Sequence, residues 1–232
     1  MYYFALLQVP ERDRNAEDAG REMRDYADFH AREAAAIRAG DALAPAGVGV
    51  RITGGPNAPV ITDGPYAEAA EVAGGFYVFE ADNLDEALQL ARQIPAARYG
   101  AIEVWPMVHW NAVSRPTAES DWLALLLEPA DEVTVPGSPE WERGVAGHAE
   151  FGAAAGPHIL GGGPLHPPST ATTVRVRDGE VVLTDGPFAE GAEVANGFYV
   201  LSAADRDEAT KIASMIPASG IALRRLAGVS GR

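Results

Sequence analysis

The sequence predicts an α+β fold built twice over in one chain. Three observations predict it: a long internal repeat, the same order of strand and helix patterns in each copy, and enough apolar material for a core. The segment from Asp63, DGPYAEAAEVAGGFYVFEADNLDEALQLARQIPA, recurs at an offset of 122 as DGPFAEGAEVANGFYVLSAADRDEATKIASMIPA from Asp185, with 21 of 34 positions identical. A repeat of this length is a domain, not a solenoid unit. The boundaries are read as 1–110 and 121–229, joined by the polar, Pro-bearing stretch 111–120, NAVSRPTAES. Two homologous units of this size are expected to pack as a pseudo-symmetric dimer within the chain. With 232 residues and 47% hydrophobic content, a buried core is within reach.

Each copy opens on a short apolar run, Tyr2 to Leu7 and Trp122 to Leu127, read as an interior strand. A helix is expected next. From about Asn15 to Ala39, apolar or amphipathic side chains fall at Ala19, Met23, Tyr26, His30, Ala34 and Ile37, closed by Gly40. The second copy repeats this more briefly with Trp141, Val145, His148 and Ala155 before Gly156. A hairpin follows: TATTVRVRDGEVVLTDG alternates β-branched and polar residues around Asp178-Gly179, and the first copy keeps VRIT and PVIT around a longer turn, GGPNA. The runs Gly75-Phe-Tyr-Val-Phe and Gly197-Phe-Tyr-Val-Leu are apolar at successive positions, so both faces should be buried. A second helix begins at Asn83 with Glu86, or Asp205 with Glu208, in capping-box spacing, and stops at Pro95 or Pro217. A last strand, AIEVWPM or IALRRLA, completes an order that gives a ferredoxin-like α+β sandwich with an added hairpin.

Charge and composition exclude several functions. Thirty-three acidic and 18 basic residues leave a net charge of −15, which repels phosphate backbones and anionic lipid, so neither nucleic acid nor membrane is expected as a partner. The absence of cysteine removes thiolate nucleophiles, disulfides and cysteine-ligated metals, and fits a cytoplasmic location. The N-terminal apolar run has no basic leader and is too short for a signal or span, so Met1 is read as the start of the folded domain. His158 and His166 stand 10 and 8 residues from their neighbours in no ligand motif, and no metal site is expected. The run Gly161 to Gly163 lacks a phosphate-loop pattern and reads as a flexible turn.

The motifs DGPFAE, GGFY and DEA…IPA, with HAEFGAAAG, ILGGGPLHPP and TATTVRVRDG in the second copy, resemble the YCII-related family in its DGPF-motif branch, once in each half. The resemblance implies two tandem ferredoxin-like domains packed as a pseudo-dimeric α/β barrel. It also implies an acid-base site made by a helix His and an Asp in a cleft, and kinship with dehydrochlorinases of chlorinated hydroxyquinols. This chain departs from the family pattern at Ala69-Ala70-Glu71 and Gly191-Ala192-Glu193, where a Lys is usual, at Tyr66, and at Trp105, where Arg is usual.

The candidate catalytic residues are therefore His148 with Asp185 and His30 with Asp63. Each His sits on the apolar seam near its helix end, either as a hydrogen-bonded core residue or as a general base facing a cavity between the sheets. Each Asp either caps its Asp-Gly-Pro turn or orients the His. Arg175 and Arg51, at equivalent hairpin positions, suit a substrate carboxylate or phenolate, or cross-strand ion pairs. Tyr199 and Tyr77, with Phe198 and Phe79, serve a cavity wall or the core. Glu68, Glu71, Glu190 and Glu193 form acidic pairs suited to a solvated face or to acid-base work. The leading expectation is a cofactor-free enzyme of the lyase, isomerase or dehydrochlorinase kind, acting by proton transfer on a small molecule. The competing readings are a non-catalytic ligand-binding or regulatory module, and an acidic interaction protein meeting a basic partner. Association of further copies into a homo-oligomer stays open.

Overall fold

The computed structural model describes residues 1–10, 16–64, 71–187 and 193–229. Tyr66, Glu68 and Glu190 lie outside the described residues. The first half runs β1 (Tyr2–Val9), α1 (Ala16–Glu33), β2 (Ile37–Ala42), β3 (Val50–Thr53), β4 (Val60–Asp63), β5 (Val72–Glu80), α2 (Leu84–Ala91) and β6 (Ala101–Pro106). The second repeats it as β7 (Asp121–Pro129), α3 (Pro139–Ala155), β8 (Ile159–Pro164), β9 (Thr172–Arg177), β10 (Glu180–Asp185), β11 (Glu193–Ser202), α4 (Arg206–Ala213) and β12 (Gly220–Arg225).

The strands form two six-stranded antiparallel sheets, ordered β10-β9-β6-β1-β5-β2 and β4-β3-β12-β7-β11-β8. Within each, the quartets β6-β1-β5-β2 and β12-β7-β11-β8 have the ferredoxin-like order. The outer pair in each sheet comes from the other half. Hairpin β9-β10 pairs with β6 through Ile102 opposite Val174, and β3-β4 pairs with β12 through Ile221 opposite Ile52. Each sheet is thus completed by a hairpin exchanged between the halves. The exchange is pinned by side chains: Arg177 donates to the carbonyls of Ala97 and Gly100 at 3.0 and 2.9 Å, and Arg206 donates to Asp63. Asp178 and Gly179 both have positive φ, as the predicted Asp-Gly turn requires.

Two corrections concern β2 and β8. The seam drawn from Asn15 to Ala39 suggests one long helix, but α1 stops at Glu33, and residues 37–42 form an edge strand on β5. The Gly161–Gly163 run is strand β8, not a loose turn. Its glycines are needed because the 109–113 backbone lies against it: a Cβ at Gly161 would stand 2.7 Å from the Asn111 carbonyl, and one at Gly163 2.4 Å from that of His109. Gly162, at φ 140°, lies under the Phe198 carbonyl.

Alternation along β5 and β11 divides the core. Tyr77 and Phe79 face α1 and α2, meeting Phe29, Leu90 and Ile94, whereas Phe76 and Val78 face the other sheet. In the second half, Phe151, Ile212 and Ile216 pack on Trp122, Leu126 and Leu201. Between the sheets, Phe4 stacks on Phe198 at 4.4 Å, with Phe76, Trp105, Leu123 and Val200 around them. The layers run helix, sheet, sheet, helix, and an aromatic core lies at the centre. Isolated bridges, Leu43 with Leu226 and Met107 with Leu165, tie the sheet margins together. No helix among the described residues is long and apolar enough to cross a membrane.

Candidate active site

The two helix histidines come together with the two strand tyrosines. His30, in the last turn of α1, is hydrogen-bonded through Nε2 to the Tyr77 hydroxyl at 2.7 Å, and His148 of α3 through Nδ1 to the Tyr199 hydroxyl at 3.0 Å. Phe29 and Phe151 anchor their helices and meet Tyr77 and Tyr199 edge-on. Phe29, beside His30, is the buried anchor of α1, whereas Met23, placed on the seam by spacing alone, is 64% exposed. Opposite each tyrosine stands a glycine, Gly40 or Gly162. A Cβ on Gly40 would lie 2.4 Å from the Tyr77 ring, so the bare backbone makes room for it.

Each pair lines a cavity between helix and sheet, so the His-bearing cavities lie on the outer faces of the sheets and not between them. The first, about 360 Å³, is walled by α1, β2, β5 and the C-terminal Val229. The second, about 310 Å³, lies among α3, β8, β11 and the 109–111 segment. Burial lowers the pKa of both His30 and His148, because a charged imidazole is poorly solvated there. Both rings are therefore neutral bases near pH 7. The same burial pushes Tyr199 up to about 12 and raises Tyr77 as well, so both phenols stay protonated.

Neither predicted carboxylate reaches a histidine. Asp185 ends β10 in the first sheet, opposite Thr172, while His148 packs on the second sheet. Asp63 ends β4 in the second sheet, solvent-exposed and accepting from Arg206, while His30 packs on the first. Taken across the halves the pairing fails too: β10 lies four strands from β5, roughly 19 Å at the usual strand spacing. The hairpin exchange that completes each sheet carries both aspartates away from the histidines. Arg51 and Arg175 line neither cavity. Arg51, 5% exposed, pairs with Glu193 of the other half, and Arg175 lies 3.6 Å from Glu71. Among the described residues no group of three or more His, Asp or Glu is placed to hold a metal ion.

The polar lining beyond the His–Tyr pairs differs between the cavities. The second holds Trp141, Asn111, His109, Thr134 and Asn196, and no Asp, Glu, Lys or Arg among its described residues. The Asn196 Oδ1 is buried without a hydrogen-bond partner among the described residues. Asn196 was visible as the one change between the repeats in VAGGFYV and VANGFYV, where it replaces Gly74. The first cavity instead holds Glu22, Asp41, Tyr26 and Tyr99, none of which periodicity or motif singles out as polar site residues.

Comparison with known proteins bears on the family. A stretch of 49 residues is 45% identical to an uncharacterized protein of Rhizobium meliloti (strain 1021), covering 21% of this chain and 40% of that protein, so the match spans about two fifths of the relative's length. The structure is similar to the crystal structure of a protein provisionally assigned as a chlorite dismutase, with a TM-score of 0.43 and 9% identity over 97% of this chain and 94% of the other. The family model for the YCII-related domain matches twice, at residues 1–111 and 124–225. With both halves matched over almost their whole length, the chain belongs to the YCII-related family and carries its domain twice.

Proposed function

We propose that the second cavity is the active site of a cofactor-free enzyme that moves a proton on a small, uncharged molecule, in the manner of a lyase, isomerase or dehydrochlorinase. The observation that carries this reading is the His148–Tyr199 pair in a cavity with no Asp, Glu, Lys or Arg among its described lining residues. In this reading Nδ1 carries the proton and donates to the Tyr199 oxygen, which fixes the ring and leaves the Nε2 lone pair as the base. A neutral imidazole of lowered pKa can accept a proton from a substrate C–H or O–H and return it to a neighbouring atom. Asn196 and Asn111 supply neutral hydrogen-bonding groups for a carbonyl or phenol, and Trp141 supplies a flat apolar wall. Tyr199 thus acts as the positioning residue that the aspartate of the family scheme was expected to be. In the first cavity Tyr77 bonds the other ring nitrogen, Nε2, so the two histidines do not leave the same nitrogen free of their tyrosines.

This reading also places the chain in the DGPF-motif branch, on Asp185-Gly186-Pro187-Phe188, and treats the two sheets as a pseudo-dimeric α/β barrel of units 1–110 and 121–229, supported by the bridges at the sheet margins. A cytoplasmic setting follows the cysteine-free composition. The test is deuterium wash-in. Uncharged cyclic ketones and phenols that perturb the His148 NMR resonances are incubated with the protein in D2O. The expected result is enzyme-dependent exchange at one substrate position, reduced 10²- to 10⁴-fold in His148→Gln with the fold retained. Binding without exchange rejects catalysis in favour of a ligand-binding or regulatory module.

A further inference from the structure

The two cavities descend from one repeat but differ at two positions that line them. Aligned on the histidines, Tyr26 of α1 corresponds to Gly144 of α3, and aligned on the strands, Gly74 of β5 corresponds to Asn196 of β11. Tyr26 and Gly74 line the first cavity, Gly144 and Asn196 the second. The second cavity has thus lost a phenol ring and gained a carboxamide. A Cβ placed on Gly144 meets no atom within 4 Å, so this cavity is open beside α3 where the first half carries the Tyr26 ring. Trp141, three residues earlier on the same face of α3, lines the same cavity as a flat wall.

Asn196 is the extra residue of a β-bulge. The pairing of β11 with β7 skips it between Ala195 and Gly197, as the pairing of β5 with β1 skips Gly74. Bulges re-aim a side chain. In the first half a Cβ on Gly74 would stand 2.4 Å from Val9 Cγ2, and Val9 packs on the helix side of its sheet, so the bulge turns this position toward the helix-side cavity. The Asn196 Oδ1 is buried without a hydrogen-bond partner among the described residues. A buried amide oxygen left in that state costs free energy, and native proteins keep few of them. A carboxamide presents a donor and an acceptor side by side, so its full complement is a ligand edge carrying an acceptor and a donor. With no Asp, Glu, Lys or Arg among the described lining residues, a charged ligand would be desolvated there without a counter-charge.

We infer that the second cavity takes a planar cyclic amide, a ring with adjacent N–H and C=O groups, lying against Trp141 in the space beside Gly144 and paired with the Asn196 carboxamide. The ligand N–H donates to Asn196 Oδ1, and Asn196 Nδ2 donates to the ligand carbonyl. This names the ligand class of the site proposed above, and it rests on that cavity being the site but on no reaction there. The first cavity, with Gly74 in place of Asn196 and Tyr26 in place of Gly144, offers neither the paired amide nor the opening beside the helix.

The test uses 2-pyridone, its N-methyl derivative, in which the donor is blocked, and phenol, which lacks the carbonyl. Binding is followed at the His148 and His30 ring protons, assigned with His148→Gln and His30→Gln. 2-Pyridone is expected to titrate the His148 resonance about tenfold more tightly than either other probe, with no such preference at His30. Asn196→Gly should weaken 2-pyridone about tenfold and leave phenol within about twofold. Gly144→Tyr should block all three probes at His148. Each variant installs the residue that the first half carries at the same place in the fold, and Asn196→Ala replaces Asn196→Gly if the bulge does not tolerate glycine. The inference is overturned if 2-pyridone leaves His148 unshifted, if either other probe binds there as tightly, if His30 shows the same preference, or if the folded variants keep it. Binding of 2-pyridone without deuterium exchange on any substrate would reject catalysis and keep this inference, whereas exchange without the 2-pyridone preference would do the reverse.

Discussion

Replacing Phe198 by alanine probes where the open space in this protein lies. Phe198 is 1% exposed and stacks on Phe4 at 4.4 Å, with Phe76 and Trp110 each at 5.9 Å. Removing a ring from such a site costs about 3–5 kcal/mol, from lost transfer energy and the cavity left behind. Part of that, roughly 0.5–1.5 kcal/mol, reflects aromatic contact beyond area alone. In a chain of this length each kcal/mol lowers Tm by about 2–4 °C, so the expected drop is roughly 6–20 °C. Urea unfolding followed by circular dichroism gives the free energy, and a thermal melt gives the shift. A solvated pocket between the sheets would place Phe198 on a wet wall and make its loss nearly neutral, within about 0.5 kcal/mol. That result would refute the packing described here and return the candidate site to the centre of the molecule.

Other outcomes follow from the same geometry. Because burial lowers the folded pKa of His30 and His148, the unfolded chain takes up protons first as pH falls through about 6.5, so their contribution to stability is intact above pH 7 and shrinks on acidification. The double variant His30→Gln, His148→Gln should flatten the slope of unfolding free energy between roughly pH 5 and 6.5; an unchanged slope contradicts neutral burial. Gly40→Ala drives a methyl into the Tyr77 ring and should displace the hydroxyl from His30, seen as a changed His30 titration, while His148 titrates as before. Glu193→Gln removes the charge paired with the buried Arg51 guanidinium and should cost about 1–3 kcal/mol in urea melts, against about 0–1 for Glu80→Gln in the exposed pair with Arg38. Residues 1–110 expressed alone lack the hairpin that covers β6 and should not give a stable monomer by size exclusion, whereas co-expression with 121–229 should restore a soluble complex.

Much of the fold is legible in the sequence because local pattern and tertiary role agree. The Asp178-Gly179 turn, the capping residues Asn83 and Asp205, and the doubly buried Gly-Phe-Tyr-Val strands each carry a signal that needs no partner to interpret. Strands β2 and β8 are hidden for the opposite reason. Ile37 falls in phase with the helix before it, and a glycine run has no side chains to alternate; only contact with the 109–113 backbone explains those glycines. The exchange of hairpins leaves no trace in either repeat, since the pattern of a strand does not say which edge it joins. His30 and His148 are readable from helix position, and Tyr77 and Tyr199 from strand position, whereas Asp63 and Asp185 end hairpins that join the opposite sheet from the histidine of their own half.

The central claim is that a neutral His148, held by Tyr199, lines the second cavity as a base. Nitrogen-detected NMR of the histidine side chains across pH measures it most directly. The account predicts that His148 titrates below its usual value near 6.5, stays neutral at pH 7 with Nδ1 in a hydrogen bond, and loses that Nδ1 signature in Tyr199→Phe while His30 keeps its own. A His148 that titrates at or above 6.5, or whose Nδ1 signal is indifferent to Tyr199→Phe, would contradict it.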